Sequence, residues 1–234
     1  MRFLRKIAKN ILPYYFVKKY LHRTSPAKKL DFSSLTALNF LYLYAGDIPR
    51  NLNYQKIGLS ISRTNDNHIQ HDITNAHNIK DNSVDIYQAE DVFEHIEYDR
   101  LKFVIKDIYR ILKPNGLFRL SVPDYRCDIL RERSVKDDAG NIIFDSYGGG
   151  NYSEQLGGVI NGGHLWFPTF EKINELLKNV YFSKIDWFHY YDEEGIPHMK
   201  NIDYTKGYIH RTPDHIESVS NPYRPLSIVV DCYK

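Results

Sequence analysis

The clearest pattern of apolar and polar positions lies in residues 81–126 and predicts a strand, a helix and a second strand. Val84, Ile86 and Tyr87 form a short apolar run, as expected of a strand covered on both faces. Apolar residues then recur three and four positions apart, which is typical of a helix packed on a sheet. These are Leu101, Val104, Ile105, Ile108 and Leu112. Residues 117–122 form the next strand, so the segment predicts a right-handed βαβ unit of a mostly parallel sheet.

The ends of this predicted helix carry typical terminal residues. Asp99 is suited to cap its amino end, and Lys113 suits the last turn because a cation stabilises the helix dipole there. Pro114, Asn115 and Gly116 then end the helix and turn the chain.

Further apolar runs predict five more strands, and a second stripe predicts another helix. Thr169 is suited to cap this helix, which carries apolar residues at helical spacing. The predicted strands are residues 40–44, 56–61, 68–73, 182–188 and 226–232, and the helical stripe is Phe170, Ile173, Leu176, Leu177 and Val180. Strands alternating with helices predict one α/β domain with a doubly wound, Rossmann-like sheet.

The predicted domain spans residues 31–234 and follows a basic amphipathic segment, residues 1–30. Two insertions interrupt the pattern, near residues 126–163 and 190–223. The first is rich in glycine and lacks periodicity, which is typical of a functional lid or a disordered loop. The basic segment has two interpretations: a surface helix that touches anionic lipid, or a helix packed over the sheet with a solvated rim.

Composition narrows the functional classes. The 234 residues carry a formal net charge of +2, which gives no general case for nucleic-acid binding. The two cysteines favour a reducing compartment, so we expect a cytoplasmic protein, with contact at the inner membrane face if the basic segment binds lipid. No apolar run is long enough to span a bilayer.

Several sequence pieces together resemble the class I S-adenosylmethionine-dependent methyltransferases. They are DNSVD and EDVFEHI around the fourth strand, YRILKPNG, LFRLSVPD, FEKINELLKN and SIVVDCYK. The resemblance implies a seven-stranded sheet whose last strand is antiparallel, with S-adenosylmethionine bound across the carboxyl ends of the first strands. The likeness is to a branch with a shortened first loop, often found among enzymes that modify cell-surface sugars.

The resemblance assigns eight residues to the cofactor. Tyr44, Ala45 and Gly46 in the first loop would pass under the methionine part, and Ser60 at the end of the second strand would face the ribose. Asp72 and Ile73, after the third strand, would flank the adenine. Glu90 and Asp91, after the fourth strand, would lie near the methionine part. Tyr44 stands where the family carries a glycine, and Ser60 where it carries an acid. For Asp72, a simple turn aspartate is the alternative.

Three residues are candidates for catalysis. His95 is the candidate base for removing a proton from an oxygen or nitrogen acceptor, and a histidine that caps or packs at a helix start is the alternative. Asp124 is a candidate for orienting the acceptor hydroxyl, or else a cap. His164 is a candidate for contacting acceptor or cofactor, or else a buried, satisfied histidine. No metal site is predicted, since residues 189–194 are better interpreted as an exposed acidic turn.

The sequence therefore predicts an S-adenosylmethionine-dependent methyltransferase that acts on an oxygen or nitrogen of a small molecule or a cell-surface sugar, within polysaccharide biosynthesis. Tyr44 and Ser60 favour the alternative, a catalytically inactive binding or scaffold protein of the same fold. A dinucleotide oxidoreductase is disfavoured because no G-x-G-x-x-G follows the first strand.

Overall fold

A computed structural model describes residues 30–48, 56–65, 67–210 and 225–234. The basic amphipathic segment, apart from Leu30, and the end of the second insertion lie outside the described residues. Within the described ranges, no helix combines the length and the apolar character needed to cross a membrane.

Three α-helices and twelve strands are described. The helices are α1 (Tyr98–Ile111), α2 (Asp128–Arg133) and α3 (Phe170–Lys178). The strands are β1 (Tyr42–Ala45), β2 (Ile57–Ser60), β3 (His68–Gln70), β4 (Val84–Glu90), β5 (Leu112–Pro123), β6 (Val135–Lys136), β7 (Ile142–Phe144), β8 (Asn151–Ser153), β9 (Gly158–Ile160), β10 (Lys184–Tyr191), β11 (Pro197–Met199) and β12 (Ser227–Tyr233).

Eight of these strands form the main sheet, in the order β11-β10-β12-β5-β4-β1-β2-β3. Strands β1 to β5 pair with one another in parallel, and the last strand, β12, runs antiparallel to both β5 and β10. The predicted Rossmann-like α/β sheet with an antiparallel last strand is thus confirmed. The sheet has one strand more than expected, because β11 folds back on β10 and extends the edge.

The bounds of α1 differ from the prediction at both ends. Glu97 is the residue that precedes the helix, and Asp99 lies within its first turn without being the cap. The helix ends at Ile111, so Lys113 lies in β5, where it pairs with Asp85 at 2.7 Å. This ion pair joins β5 to β4 and gives Lys113 a role in the sheet.

One face of the sheet is apolar and is covered by α1 and α3. Most residues of the predicted helical stripes are buried, with Ile105, Ile108 and Leu177 fully inaccessible to solvent. Phe170 is half-buried, and Leu112 and Val180 lie just beyond the ends of their helices. The buried stripe residues pack with alternate strand residues such as Tyr87 and Phe118 in a single hydrophobic cluster. The spacing of apolar residues in each helix therefore determines which face of the helix packs on the sheet.

The opposite face carries buried polar residues. Arg119 and Asp231, both fully buried, form a two-bonded ion pair at 2.7 and 2.8 Å across β5 and β12. Residues 202–210, here called the strap, cover this face. The Arg119 guanidinium donates to Gly207 O at 2.5 Å, and Gln88 Nε2 donates to Tyr208 O at 2.8 Å. Part of the second insertion is therefore hydrogen-bonded to the polar face of the sheet.

The first insertion is ordered over residues 126–163. It contains α2 and two antiparallel hairpins, β6–β7 and β8–β9. Glycines with positive φ, such as Gly157 and Gly162, occur at its turns. The glycine-rich composition thus reflects tight turns that bring the insertion back to the sheet.

Candidate active site

The candidate site lies at the carboxyl edge of the sheet, where the parallel strands β1, β4 and β5 end. Tyr44 and Ala45, which were predicted to belong to the first loop, are the last residues of β1, so the tight turn begins at Gly46. Gly46 has a φ of +95°, and its N–H donates to Leu59 O at 2.7 Å. This turn holds the ends of β1 and β2 together.

Glu90 and Asp91 place two carboxyl groups at the end of β4. Glu90 is buried and accepts a hydrogen bond from the backbone N–H of His210 in the strap, at 2.6 Å. Asp91 has a φ of +52°, an uncommon conformation for a residue other than glycine. Such a backbone at the end of a sheet strand is typical of functional sites.

Tyr44 points its side chain onto the polar face. Its hydroxyl donates to Glu90 Oε2 at 3.4 Å, and burial together with the Glu90 charge raises the pKa of Tyr44. The Lys56 ammonium lies 4.8 Å from the ring centroid of Tyr44, and burial lowers the pKa of Lys56 to about 8. The ring is therefore held by Glu90 and Lys56.

Ser60 and Asp72, which were predicted to contact the nucleoside, accept hydrogen bonds within local turns. The Ser60 hydroxyl, buried at the end of β2, accepts from the backbone N–H groups of Ser62 and Arg63 at 3.3 and 3.1 Å. Asp72 is exposed and accepts from Thr74 N at 2.9 Å, which matches its turn alternative. Ile73 is buried in the core. These contacts are local, and the Ser60 hydroxyl proton remains able to donate to a ligand.

Glu94, His95 and His164 come together although His164 is distant in sequence. The imidazole centroids of His95 and His164 are 4.7 Å apart, and His164 Nε2 lies 3.7 Å from Glu94 Oε1. Backbone bonds fix this arrangement, since Leu165 N donates to Glu94 O at 2.8 Å. The Trp166 indole N–H also donates to Phe93 O, at 3.0 Å. The loop before α3 is thereby anchored to the end of β4.

Hydrogen bonds define the tautomers of both histidines. Nδ1 of His95 lies 2.9 Å from Gly162 O, and a carbonyl only accepts, so Nδ1 carries the proton. Nδ1 of His164 lies 2.5 Å from the Tyr125 hydroxyl, which donates its own proton to Asp145 at 2.8 Å and so accepts from the histidine. In the neutral form, both imidazoles therefore keep a lone pair on Nε2.

Asp145 completes a polar chain behind His164. It accepts from Arg133 at 2.6 Å as well as from Tyr125. Burial alone would raise the pKa of Asp145, but the bonds from Arg133 and Tyr125 outweigh it and lower the pKa. Gly148 allows the ring of His164 to approach closely, because a Cβ at this position would collide with the imidazole.

Asp124 is fully buried at the end of β5. Its two oxygens accept from the backbone N–H groups of Arg126 and Tyr191, at 3.0 and 2.9 Å. Burial raises the pKa of Asp124 to about 6. This geometry matches the capping alternative, since the carboxyl group ties β5 to the end of β10.

A cleft of about 440 Å³ lies beside Tyr125, past the end of β5. Its lining includes Phe167 and both cations and anions, among them Arg126, Lys172 and Glu193. Sequence reasoning singled out His95 and His164 but missed Glu94 and Asp145 as their partners. The position of Glu94 directly before His95 could have identified Glu94 as a partner, whereas no sequence pattern near Asp145 indicates its role.

The family resemblance is confirmed by comparison with known proteins. A family profile described as a methyltransferase domain matches residues 34–120, which contain β1 to β4, α1 and most of β5. Residues 34–120 are therefore similar to the methyltransferase domain of the class I S-adenosylmethionine-dependent family. This match supports an enzyme with S-adenosylmethionine as its cofactor. The inactive alternative has no support in these comparisons.

Solved structures of similar shape include three methyltransferases. An S-adenosylmethionine-dependent methyltransferase from Archaeoglobus fulgidus is 15% identical, with 99% of each chain covered and a TM-score of 0.45. One from Methanosarcina mazei is 12% identical, with 92% and 96% covered and a TM-score of 0.48. The 1,6-didemethyltoxoflavin-N1-methyltransferase of Burkholderia thailandensis is 12% identical, with 83% of this chain and 71% of that chain covered and a TM-score of 0.46. No curated protein sequence matches this chain.

Proposed function

We propose that the enzyme transfers a methyl group to an oxygen or nitrogen of a small molecule or a sugar, beside Glu94, His95 and His164. One observation carries the proposal. The imidazoles of His95, just after β4, and of His164, in the loop before α3, both have a proton-free Nε2 in their neutral form. The end of β4 also holds the carboxyl groups of Glu90 and Asp91. A base and a cation-binding group thus adjoin at one edge of the sheet.

The residues at this edge fit the methionine part of the cofactor. Its sulfonium and ammonium groups are cations, and the carboxylates of Glu90 and Asp91 suit them electrostatically. Gly46 leaves space at the β1 turn, where, among the residues that the structure describes, an added Cβ would meet Val92 alone, at 3.4 Å. Glu90 and Asp91 would hold the amino-acid part, with the Ser60 hydroxyl available to the ribose. The bound cofactor supplies an activated methyl group.

The chain's own contribution is to align the acceptor and to accept its proton. His95 is half-buried, so its Nε2 is reachable from the site, while Nδ1 is held by Gly162 O. This bond fixes the ring so that Nε2 takes the proton of an acceptor hydroxyl or amine. Phe167, which is half-buried at the cleft, offers a ring face to a sugar or another flat acceptor.

The lining of the cleft supports a finer proposal for the acceptor class. Its polar lining, with Arg126 and Lys172 beside Glu193, suits a hydroxyl-rich or zwitterionic molecule better than an apolar one. A cell-surface sugar would place the enzyme in polysaccharide biosynthesis in the cytoplasm. The basic segment 1–30 would then provide peripheral contact with the inner membrane face.

Cofactor titration tests the first half of the proposal. Glu90→Gln keeps the side-chain shape but removes the charge, and we expect it to weaken S-adenosylmethionine binding in calorimetry by about ten- to a hundred-fold. Glu97→Gln, an exposed acid just after the same segment, should bind normally. Equal affinity of Glu90→Gln and the parent would refute the assigned cation site.

Methyl transfer tests the second half. With labelled cofactor and panels of sugars, phenols and amines, we expect transfer to at least one oxygen or nitrogen acceptor. His95→Gln should lower kcat by about a hundred-fold or more while the affinity for S-adenosylhomocysteine stays unchanged. Full activity of His95→Gln would exclude this residue from the reaction.

A further inference from the structure

We propose that Glu94, His95 and His164 form a binding site for one divalent transition-metal ion. Each offers one ligand atom, and these atoms all lie within 4.8 Å of one another. Two imidazole nitrogens and one carboxylate oxygen form a donor set that suits zinc, iron, manganese, cobalt or nickel.

The spacing suits an ion better than direct contact. His164 Nε2 and Glu94 Oε1 are 3.7 Å apart, which is too long for a hydrogen bond. Ligand atoms that each lie about 2.1 Å from a shared ion are separated by at most about 4.2 Å. The 3.7 Å pair already meets this limit, and no pair of the three ligand atoms is more than 4.8 Å apart.

The outer hydrogen bonds are those expected around metal-binding histidines. Such histidines donate their second ring N–H to a carbonyl or a carboxylate, which directs the other nitrogen at the ion. His95 donates to Gly162 O, and His164 donates to Tyr125, whose hydroxyl is in turn bonded to Asp145. Both Nε2 atoms are thereby prepared as ligands.

Burial leaves the site closed on one side and open on the other. Glu94 and His164 are buried, whereas His95 is half-buried. Three protein ligands with an accessible side are typical of a catalytic metal site, which keeps coordination positions for water or substrate.

The role of the ion rests on the proposed function. An acceptor hydroxyl bound to the ion at an open position would lose its proton to solvent water, because coordination lowers the pKa of a bound hydroxyl. His95 would then serve as a ligand in place of a base. The existence of the site does not depend on this role.

Metal binding to the untagged, cofactor-free protein tests the site without any activity measurement. Zn²⁺ and Co²⁺ are titrated separately, by equilibrium dialysis and by visible absorption of bound cobalt. We expect one equivalent bound, and an affinity reduced at least ten-fold in both Glu94→Gln and His95→Gln. His198→Gln is the matched control, because His198 forms an exposed pair with Asp192 at 2.7 Å. It should reduce the affinity less than two-fold.

Tyr125→Phe supplies a second, independent variant. It keeps all three ligands but removes the hydroxyl that accepts from His164, and we expect about ten- to a hundred-fold weaker metal binding. Melting curves of the metal-free variants show whether each is folded. His95 is the least buried of the three ligands, so His95→Gln decides the result if the others unfold.

The outcomes separate this inference from the proposed function. Absence of binding at tens of micromolar metal, or binding unaffected by His95→Gln, would overturn the metal site while leaving methyl transfer intact. Stoichiometric binding that depends on Glu94 and His95, in a protein that methylates none of the acceptors, would retain the site and refute the function.

Discussion

The two faces of the main sheet are buried by different means. On one face, α1 and α3 cover alternate apolar residues such as Phe118, which are excluded from water by packing. On the other face, Arg119 and Asp231 are equally inaccessible but are held by hydrogen bonds to each other and to the strap. Burial of the apolar face is favourable in itself, whereas burial of the polar face is tolerated only when every partner is present.

The largest effect is expected from breaking the polar face. Arg119→Met leaves the Asp231 charge buried without its partner and should lower the free energy of unfolding by about 3–5 kcal/mol in urea denaturation. The double variant Arg119→Met with Asp231→Leu removes both charges and should recover much of this loss. A loss below about 1 kcal/mol for the single variant would show that water reaches this face.

The apolar face should respond through packing alone. Ile105→Ala opens a cavity beneath α1 and should cost about 2–5 kcal/mol, because Ile105 is fully buried. Phe103→Ala, on the same helix but 73% exposed, should change stability by no more than about 0.5 kcal/mol. Similar losses at both positions would mean that α1 does not lie on the sheet as described.

The stability that Asp124 contributes, at the end of β5, should depend on pH. Its pKa is raised from 3.8 to about 6 by burial, so the folded state binds the proton more tightly than the unfolded state. The resulting stabilisation is complete below pH 4 and is lost as the pH rises through 6, an effect of about 3 kcal/mol. Asp124→Asn does not titrate, so the stability advantage of the parent over this variant should shrink from pH 4 to pH 7. A constant difference across that range would contradict the raised pKa.

The smallest effect concerns a polar contact on the apolar side. The Tyr98 hydroxyl joins α1 to α3, because its single proton lies between two acceptors, Lys172 O at 3.0 Å and Glu175 at 3.1 Å. Tyr98→Phe should lower stability by about 1 kcal/mol, since the partners remain accessible to water. Tyr181→Phe, at a side chain that is 93% exposed, serves as the control and should have no measurable effect on the melting temperature.

The contrast between the faces also explains what the sequence could predict. Periodicity located β4, α1 and β5, because burial of apolar side chains leaves a repeat of two or 3.6 residues in the sequence. Arg119 in the middle of an apolar strand gave no hint of its partner, because Asp231 lies 112 positions further along the chain. The strap was predicted only as an irregular insertion.

The candidate site, too, could be predicted from the sequence only in part. His95 and His164 could be selected because histidine is suited to both catalysis and binding near neutral pH. Their mutual contact could not, since it depends on the loop before α3 returning to the end of β4. Asp124 was selected from its position after a strand, but such a position equally suits a side chain that caps neighbouring backbone.

The strap also determines when the chain can fold. Gln88 and Glu90 are bonded to residues 120 positions later, so synthesis must pass residue 210 before they find their partners. A nascent chain that ends before residue 202 also lacks β12, which lies between β5 and β10, so it would present unpaired charge on an incomplete sheet. Contacts between such distant residues form slowly. We expect the final segment to commit the protein to its native state, with carboxyl-terminal truncations accumulating as chaperone clients instead of as smaller folded domains.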